Sequence, residues 1–196
     1  KKKIKWDTPN GIRGDTWTFD RVKKTKESGC QYLTVAIESG VQNVIDKVVK
    51  KKLDLKEVTK LMEYCYKVGL RLNAFFIIGL PGESKDDILK TLDYAIKSYK
   101  KYNVTPCVFL AKALPGTELY ENTITNHLYE GKLEFKPNEI ITKEFDPQWI
   151  AKQYKNFQRK LKIIKIINYL FSPNIYMIRV VYEKFRILWA LYINSN

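Results

Sequence analysis

The sequence predicts an α/β fold of parallel strands followed by helices, and three observations carry that expectation. Strand and helix signals alternate through the first 120 residues, the pattern of consecutive βα units in a parallel sheet. The apolar runs are continuous, as in FFII at 75–78, which suits strands buried on both faces. The runs then stop abruptly in turn residues, as in GLPGES at 79–84, where a strand gives way to a capped helix.

Taken in order, residues 2–6 read as the end of a strand running into the loop TPNGIRGD at 8–15. A polar helix is expected over about 18–28, ending at Gly29. The strand QYLTVAIESG (31–40) leads to a short helix over 41–51. Asp54 with Glu57 forms an N-terminal capping pair for the next helix, whose apolar face is Val58, Leu61, Met62 and Cys65 and whose stop is Gly69. The strand LRLNAFFIIG (70–79) follows, then Ser84 as N-cap with Asp87 three residues on, and a helix lined by Ile88, Leu92, Ala95, Ile96 and Tyr99. The strand PCVFLAKAL (106–114) is closed by Pro115 and Gly116.

Residues 121–146 are turn-rich and read as a connector. Asp146 before Pro147 marks a helix start, and Ile150, Tyr154, Phe157, Leu161 and Ile164 then form an amphipathic stripe. Ser172 and Pro173 break it, and a second stripe runs through Ile178, Val181, Phe185, Leu188 and Tyr192. The expected organisation is therefore 1–120 for the βα units, 121–146 for the connector and 147–196 for a helical extension.

Composition bounds the function. With 35 basic and 21 acidic residues the net charge is +14, which suits anionic partners in general and identifies none. The run Lys50, Lys51, Lys52 reads as a solvated face. Three cysteines, Cys30, Cys65 and Cys107, share no CxxC spacing, so they read as structural thiols in a reducing, cytoplasmic setting. His127 is the sole histidine, which excludes a histidine-rich zinc site. The scattered tyrosines form no RNA-stacking platform. Basic and aromatic residues in the tail helices also fit a peripheral membrane surface, so a non-catalytic module binding RNA or membrane is the alternative to an enzyme. The opening KKKIKWD has neither an initiator methionine nor a signal core. Together with an uncovered first sheet edge, it favours a fragment with an upstream part.

In a parallel sheet all strand ends that follow the same direction meet at one edge, and there Glu38, Ser39 and Gly40, then 79–83, then 114–117 converge. A carboxylate at such an edge accepts hydrogen bonds from ribose hydroxyls, Ser39 adds a donor, and Gly79 and Gly82 leave bare backbone against a flat ligand. Glu38 read alone fits equally a charge beside the N-terminus of the following helix.

The series PNGIR (9–13), GCQYLTVAIESG (29–40), LNAFFIIGLPGES (72–84) and ALPGTELY (113–120) resembles the second half of the radical S-adenosylmethionine core, in the subgroup that often carries a cobalamin-binding domain. The tail YKNFQRKL (154–161) is similar to that subgroup's C-terminal helix. The resemblance implies a partial (β/α) barrel in which a [4Fe–4S] cluster reduces S-adenosylmethionine and yields a 5′-deoxyadenosyl radical, which attacks a small-molecule substrate. An electron donor is implied, and cobalamin-dependent methyl transfer is one outcome. By position, Glu38 and Ser39 match the ribose-contacting strand end, Phe76, Ile77, Ile78 and Gly79 the strand flanking the adenine, and Gly82 and Glu83 its turn. Asn10 and Arg13 fall on an earlier loop facing the same cavity, with Arg13 suited to a carboxylate. The family's CxxxCxxC is absent, and clusters need cysteine thiolates, so this polypeptide alone is expected to be inactive.

Overall fold

Three strands, β1 (Tyr32–Glu38), β2 (Arg71–Ile78) and β3 (Thr105–Leu110), form a parallel sheet in the order β1-β2-β3. The structure, a computed structural model, describes residues 4–129 and 139–171. Helices α1 (Phe19–Glu27), α2 (Gln42–Lys47), α3 (Leu55–Val68), α4 (Lys85–Tyr102), α5 (Glu118–Thr125) and α6 (Pro147–Phe171) complete it. The expected α/β class, with parallel strands and a following helix, is what the chain forms. The chain divides into two units, residues 1–155 and 156–196.

Ahead of β1, the chain touches the sheet at two parallel bridges, Trp6 with Cys30 and Ile12 with Val35. This is the expected fourth strand end, and it reaches further into the TPNGIRGD loop than its apolar residues indicate. Gly11 and Gly14 permit it: a Cβ at either would stand 2.5 Å from Ala36 Cβ or Val35 Cγ2.

One face of the sheet is the core. Leu33, Val35 and Ile37 of β1 and Leu72, Ala74, Phe76 and Ile78 of β2 are buried with Val22 of α1, Val58, Leu61, Met62 and Cys65 of α3, and Ile88, Leu92, Ala95 and Ile96 of α4. Phe76 meets Tyr94 of α4 edge-on at 6.2 Å, a favoured aromatic geometry. The other face is only half covered: Phe75 and Ile77 are partly exposed, and Phe109, 5.5 Å from Phe75 between ring centroids, is 53% exposed. The expectation of strands buried on both faces therefore holds for one face among the described residues. Alternation with a period of two is what such one-sided packing imposes.

The helix signals act as written, with two exceptions. Gly69 ends α3 in the left-handed conformation at φ 67°. Ser84 and Asp87 form both arms of a capping box, with Ser84 N–H on Asp87 Oδ2 at 3.0 Å and Asp87 N–H on Ser84 Oγ at 3.1 Å. Asp54 caps α3 by accepting the Lys56 N–H at 2.8 Å, but Glu57 pairs with Lys60 at 2.7 Å instead of closing a box. The helix expected over 41–51 stops at Lys47, because Lys50 and Lys52 turn left-handed.

The expected connector is partly structured. Thr117 caps α5 through the Tyr120 N–H, and a small apolar cluster of Ala111, Ala113 and Ile140, packed by Ile77, Leu80, Leu119 and Leu128, fastens this segment to the sheet end. Asp146 caps α6 through the Trp149 N–H at 2.6 Å. The stripe Ile150, Tyr154, Phe157, Leu161 and Ile164 is its least exposed side. The second stripe lies outside the described residues. No helix among them is long and apolar enough to cross a membrane.

Candidate functional site at the carboxyl edge of the sheet

The end of β1 is built around a left-handed glutamate. The pairing of β1 with β2 slips between Ala36 and Glu38, and Glu38 has φ 73°. Lys51 Nζ donates to Glu38 Oε1 and to the Ala36 carbonyl, each at 2.7 Å, and the two charged side chains are only 24% and 25% exposed. Among the described residues five non-glycine residues have positive φ, and three of them, Glu38, Lys50 and Lys52, surround this one ion pair. Each costs about 1–3 kcal/mol, and such residues persist where surroundings over-determine them.

The turn after β2 is built from backbone instead. Gly79 and Gly82 have φ 91° and 98°, and a Cβ on Gly79 would lie 2.8 Å from Ile150 Cδ1. Glu83, 1% exposed, accepts the N–H groups of Gly79 and Leu80 on Oε2 at 2.7 Å each. Its Oε1 is buried with no hydrogen-bond partner. Burial pushes its carboxyl up to about 7, against the pull of the two backbone N–H groups.

These two ends converge on one cavity of about 560 Å³, lined by Glu38, Ile77, Leu80, Pro81 and Gly82, by Lys47 to Lys50, and by Glu118, Leu119 and Asn122 of α5. Lys50 and Glu118 approach to 3.7 Å with both side chains exposed, an ion pair of little strength. A more open depression of about 650 Å³ lies among Gln42, Asp46, Leu53, Asp54, Thr59 and Tyr94 on the helical side. Its polar groups satisfy one another: Gln42 bonds Asp46, the Leu53 carbonyl and the Leu55 N–H, and Tyr94 bonds Thr59. The carboxyl-edge cavity, with its strained residues, is the better candidate.

The residues singled out from sequence divide accordingly. Glu38 and Gly82 line the cavity, and Gly79 begins the turn that forms its wall. Ser39 is fully buried and bonded to Thr91 at 2.9 Å, so it braces the elbow and offers no donor to the cavity. Of the matched strand, Phe76 and Ile78 are fully buried on the helix-packed face, and Ile77 is the residue that lines the cavity. Asn10 is exposed and absent from the lining. Arg13 does find a carboxylate, Asp15, at 2.7 Å, and also bonds the Lys52 carbonyl. Burial raises the Asp15 carboxyl, but the bonds from Arg13 and the Asp54 N–H outweigh it and hold it below its usual value.

Lys51 and α5 escaped sequence reasoning. Lys51 is one of three adjacent lysines, and only the left-handed turns on either side single it out.

The cysteines do not form a cluster site. Cys30 and Cys65 are buried, and burial, followed by the charge of Cys30, pushes the Cys65 thiol up to about 12. No group of three or more metal-ligating side chains comes together among the described residues. The cysteines and other side chains described therefore do not fit an iron–sulfur cluster.

Residues 7–95 match the profile of the Radical SAM superfamily. Over 129 residues the chain is 33% identical to the cytidylyl-2-hydroxyethylphosphonate methyltransferase of Streptomyces wedmorensis, covering 62% of this chain and 23% of that protein. It is 29% identical over 126 residues to an uncharacterized methyltransferase of Pyrococcus horikoshii, covering 64% and 26%. The archaeal Elp3 of Methanocaldococcus infernus, with residues 1–46 deleted, aligns at a TM-score of 0.47 and 21% identity over 65% of this chain and 28% of that one. The chain thus spans about a quarter of the length of the curated relatives it matches.

Proposed function

We propose, from the match of residues 7–95 to the radical SAM superfamily, that the carboxyl-edge cavity binds the adenosyl part of S-adenosylmethionine. The observation that carries this reading is the meeting of Glu38 and the 79–83 turn on one cavity. Lys51 occupies Oε1 of Glu38, which leaves Oε2 to accept from ribose hydroxyls. Ile77, Leu80 and Pro81 give an apolar wall for a flat base, and Gly82 lets the backbone come close. Glu83 holds the turn in shape from beneath.

S-adenosylmethionine supplies the reactive carbon chemistry, and the residues here bind and orient it. In this reading the cluster ligands lie elsewhere in the whole protein. Methyl transfer is the reaction class that the names of both curated relatives support for the whole protein. Cobalamin as a second cofactor rests on the resemblance of the quoted motifs alone.

Calorimetric titration of the chain with S-adenosylhomocysteine tests the binding step. Glu38→Gln should weaken it about tenfold, the effect of losing a charge-assisted bond. A folded Glu38→Gln variant that binds as the parent does would remove Glu38 from the site. For the whole protein, anaerobic reconstitution followed by assay of S-adenosylmethionine cleavage is the corresponding test, and a reconstituted protein that cleaves none would remove the enzymatic reading.

A further inference from the structure

Helix α4 touches both halves of the cavity without lining it. Its N-cap, Ser84, directly follows the 79–83 turn. Two turns further along, Thr91 is fully buried and faces the elbow after β1. Its Oγ1 accepts the Gly40 N–H at 3.1 Å and meets Ser39 Oγ at 2.9 Å, while Ser39 Oγ accepts the Val41 N–H at 3.1 Å. The elbow is seated tightly: a Cβ on Gly40 would stand 2.6 Å from Tyr94 Cβ and 3.0 Å from Thr91 Cα. Ser39 and Gly40 follow immediately after Glu38, whose left-handed backbone nothing local favours. A helix gains nothing from a threonine at this position, since β-branched residues lower helix propensity.

We propose that Thr91 is a positioning residue for Glu38, through which α4 sets the spacing between the β1 elbow and the 79–83 turn. The hydroxyl holds Gly40 and Ser39, these hold the left-handed Glu38, and the same helix carries the turn at its N-cap, Ser84. The inference rests on the reading of the cavity as an adenosyl site for its effect on affinity, and on geometry alone for its effect on the elbow.

Two measurements on the full chain decide it. Hydrogen exchange should show amides at 38–41 losing protection about tenfold in Thr91→Val, with 105–110 unchanged and Thr91→Ser close to the parent. Calorimetry with S-adenosylhomocysteine, on variants confirmed folded by circular dichroism, should show Thr91→Val binding about tenfold more weakly than the parent and Thr91→Ser within twofold. In a Glu38→Gln background the added effect of Thr91→Val should shrink to less than twofold, because the residue being positioned is gone. Unchanged exchange at 38–41 overturns the proposal whatever the ligand does, and so does an equal Thr91→Val penalty in both backgrounds. Loosened exchange in a chain that binds no S-adenosylhomocysteine upholds the brace and overturns the adenosyl reading instead.

Discussion

The two faces of β2 carry different burdens. Leu72, Ala74, Phe76 and Ile78 are buried under helices, while Asn73, Phe75 and Ile77 stay partly exposed and one of them lines the cavity. Packing tolerates little change on the first face, because its neighbours are already at full density. The second face leaves room, and its contribution is shape at the carboxyl edge. A single strand thus divides core packing from the wall of the candidate cavity by the parity of its residues.

The sharpest way to break this comparison is at adjacent phenylalanines. Phe76→Ala should cost about 3–5 kcal/mol in urea unfolding, and Phe75→Ala less than half of that, since its ring is partly solvated already. Equal losses would mean that the open face is as much a core as the helical one.

Glu83 brings the buried side to the edge of the cavity, and its effect is next in size. Its folded carboxyl sits at about 7, above the ordinary 4.5. A raised acid adds stability that is fully present below about pH 4.5 and lost as the pH climbs through 7. Unfolding free energies from pH 5 to 8 should fall for the parent relative to Glu83→Gln, by up to about 3 kcal/mol across the window. A pH-independent difference would show Glu83 ionised throughout.

The glycines sharpen the contrast further. Gly69 and Gly79 are both left-handed, but a Cβ on Gly69 meets nothing within 4 Å while one on Gly79 meets Ile150. Gly69→Ala should therefore cost about 1 kcal/mol of backbone strain, and Gly79→Ala about 1 kcal/mol more. Thermal unfolding of the pair isolates the close approach from the dihedral. The smallest effect belongs to the exposed pair at the cavity mouth: Lys50→Gln with Glu118→Gln should show a coupling below about 0.5 kcal/mol, and a larger value in a double-mutant cycle would make that pair part of the scaffold.

Legibility followed the range of the interaction. The capping box at Ser84 and Asp87, the stop at Gly69 and the start at Asp146 are local, and each was readable because its partners lie within a few residues. The parity of β2 was not readable, since FFII places four apolar residues in succession and hides which pair faces the helices. Position alone therefore gives Phe76, Ile77 and Ile78 the same claim on the cavity, which only Ile77 lines. Ser39 is hidden from sequence for another reason: its hydroxyl is committed to Thr91, which lies 52 positions away. Lys51 shares its chemistry with two neighbours, and only backbone geometry tells them apart. The helix α5 was obscured by mixed composition and owes its place to the cluster around Ala111, Ala113 and Ile140.

The leading ribbon has a consequence for the company the molecule keeps. Between its two bridges the chain takes six steps from Trp6 to Ile12, while the segment running into β1 takes five from Cys30 to Val35. One residue is out of step, so donors and acceptors along that border do not repeat at the spacing of a regular ladder. A strand from another chain arriving there finds no template to copy. Pro9, which lies between the two bridges and has no N–H to donate, adds to that stagger in making the border a poor template for edge-to-edge pairing.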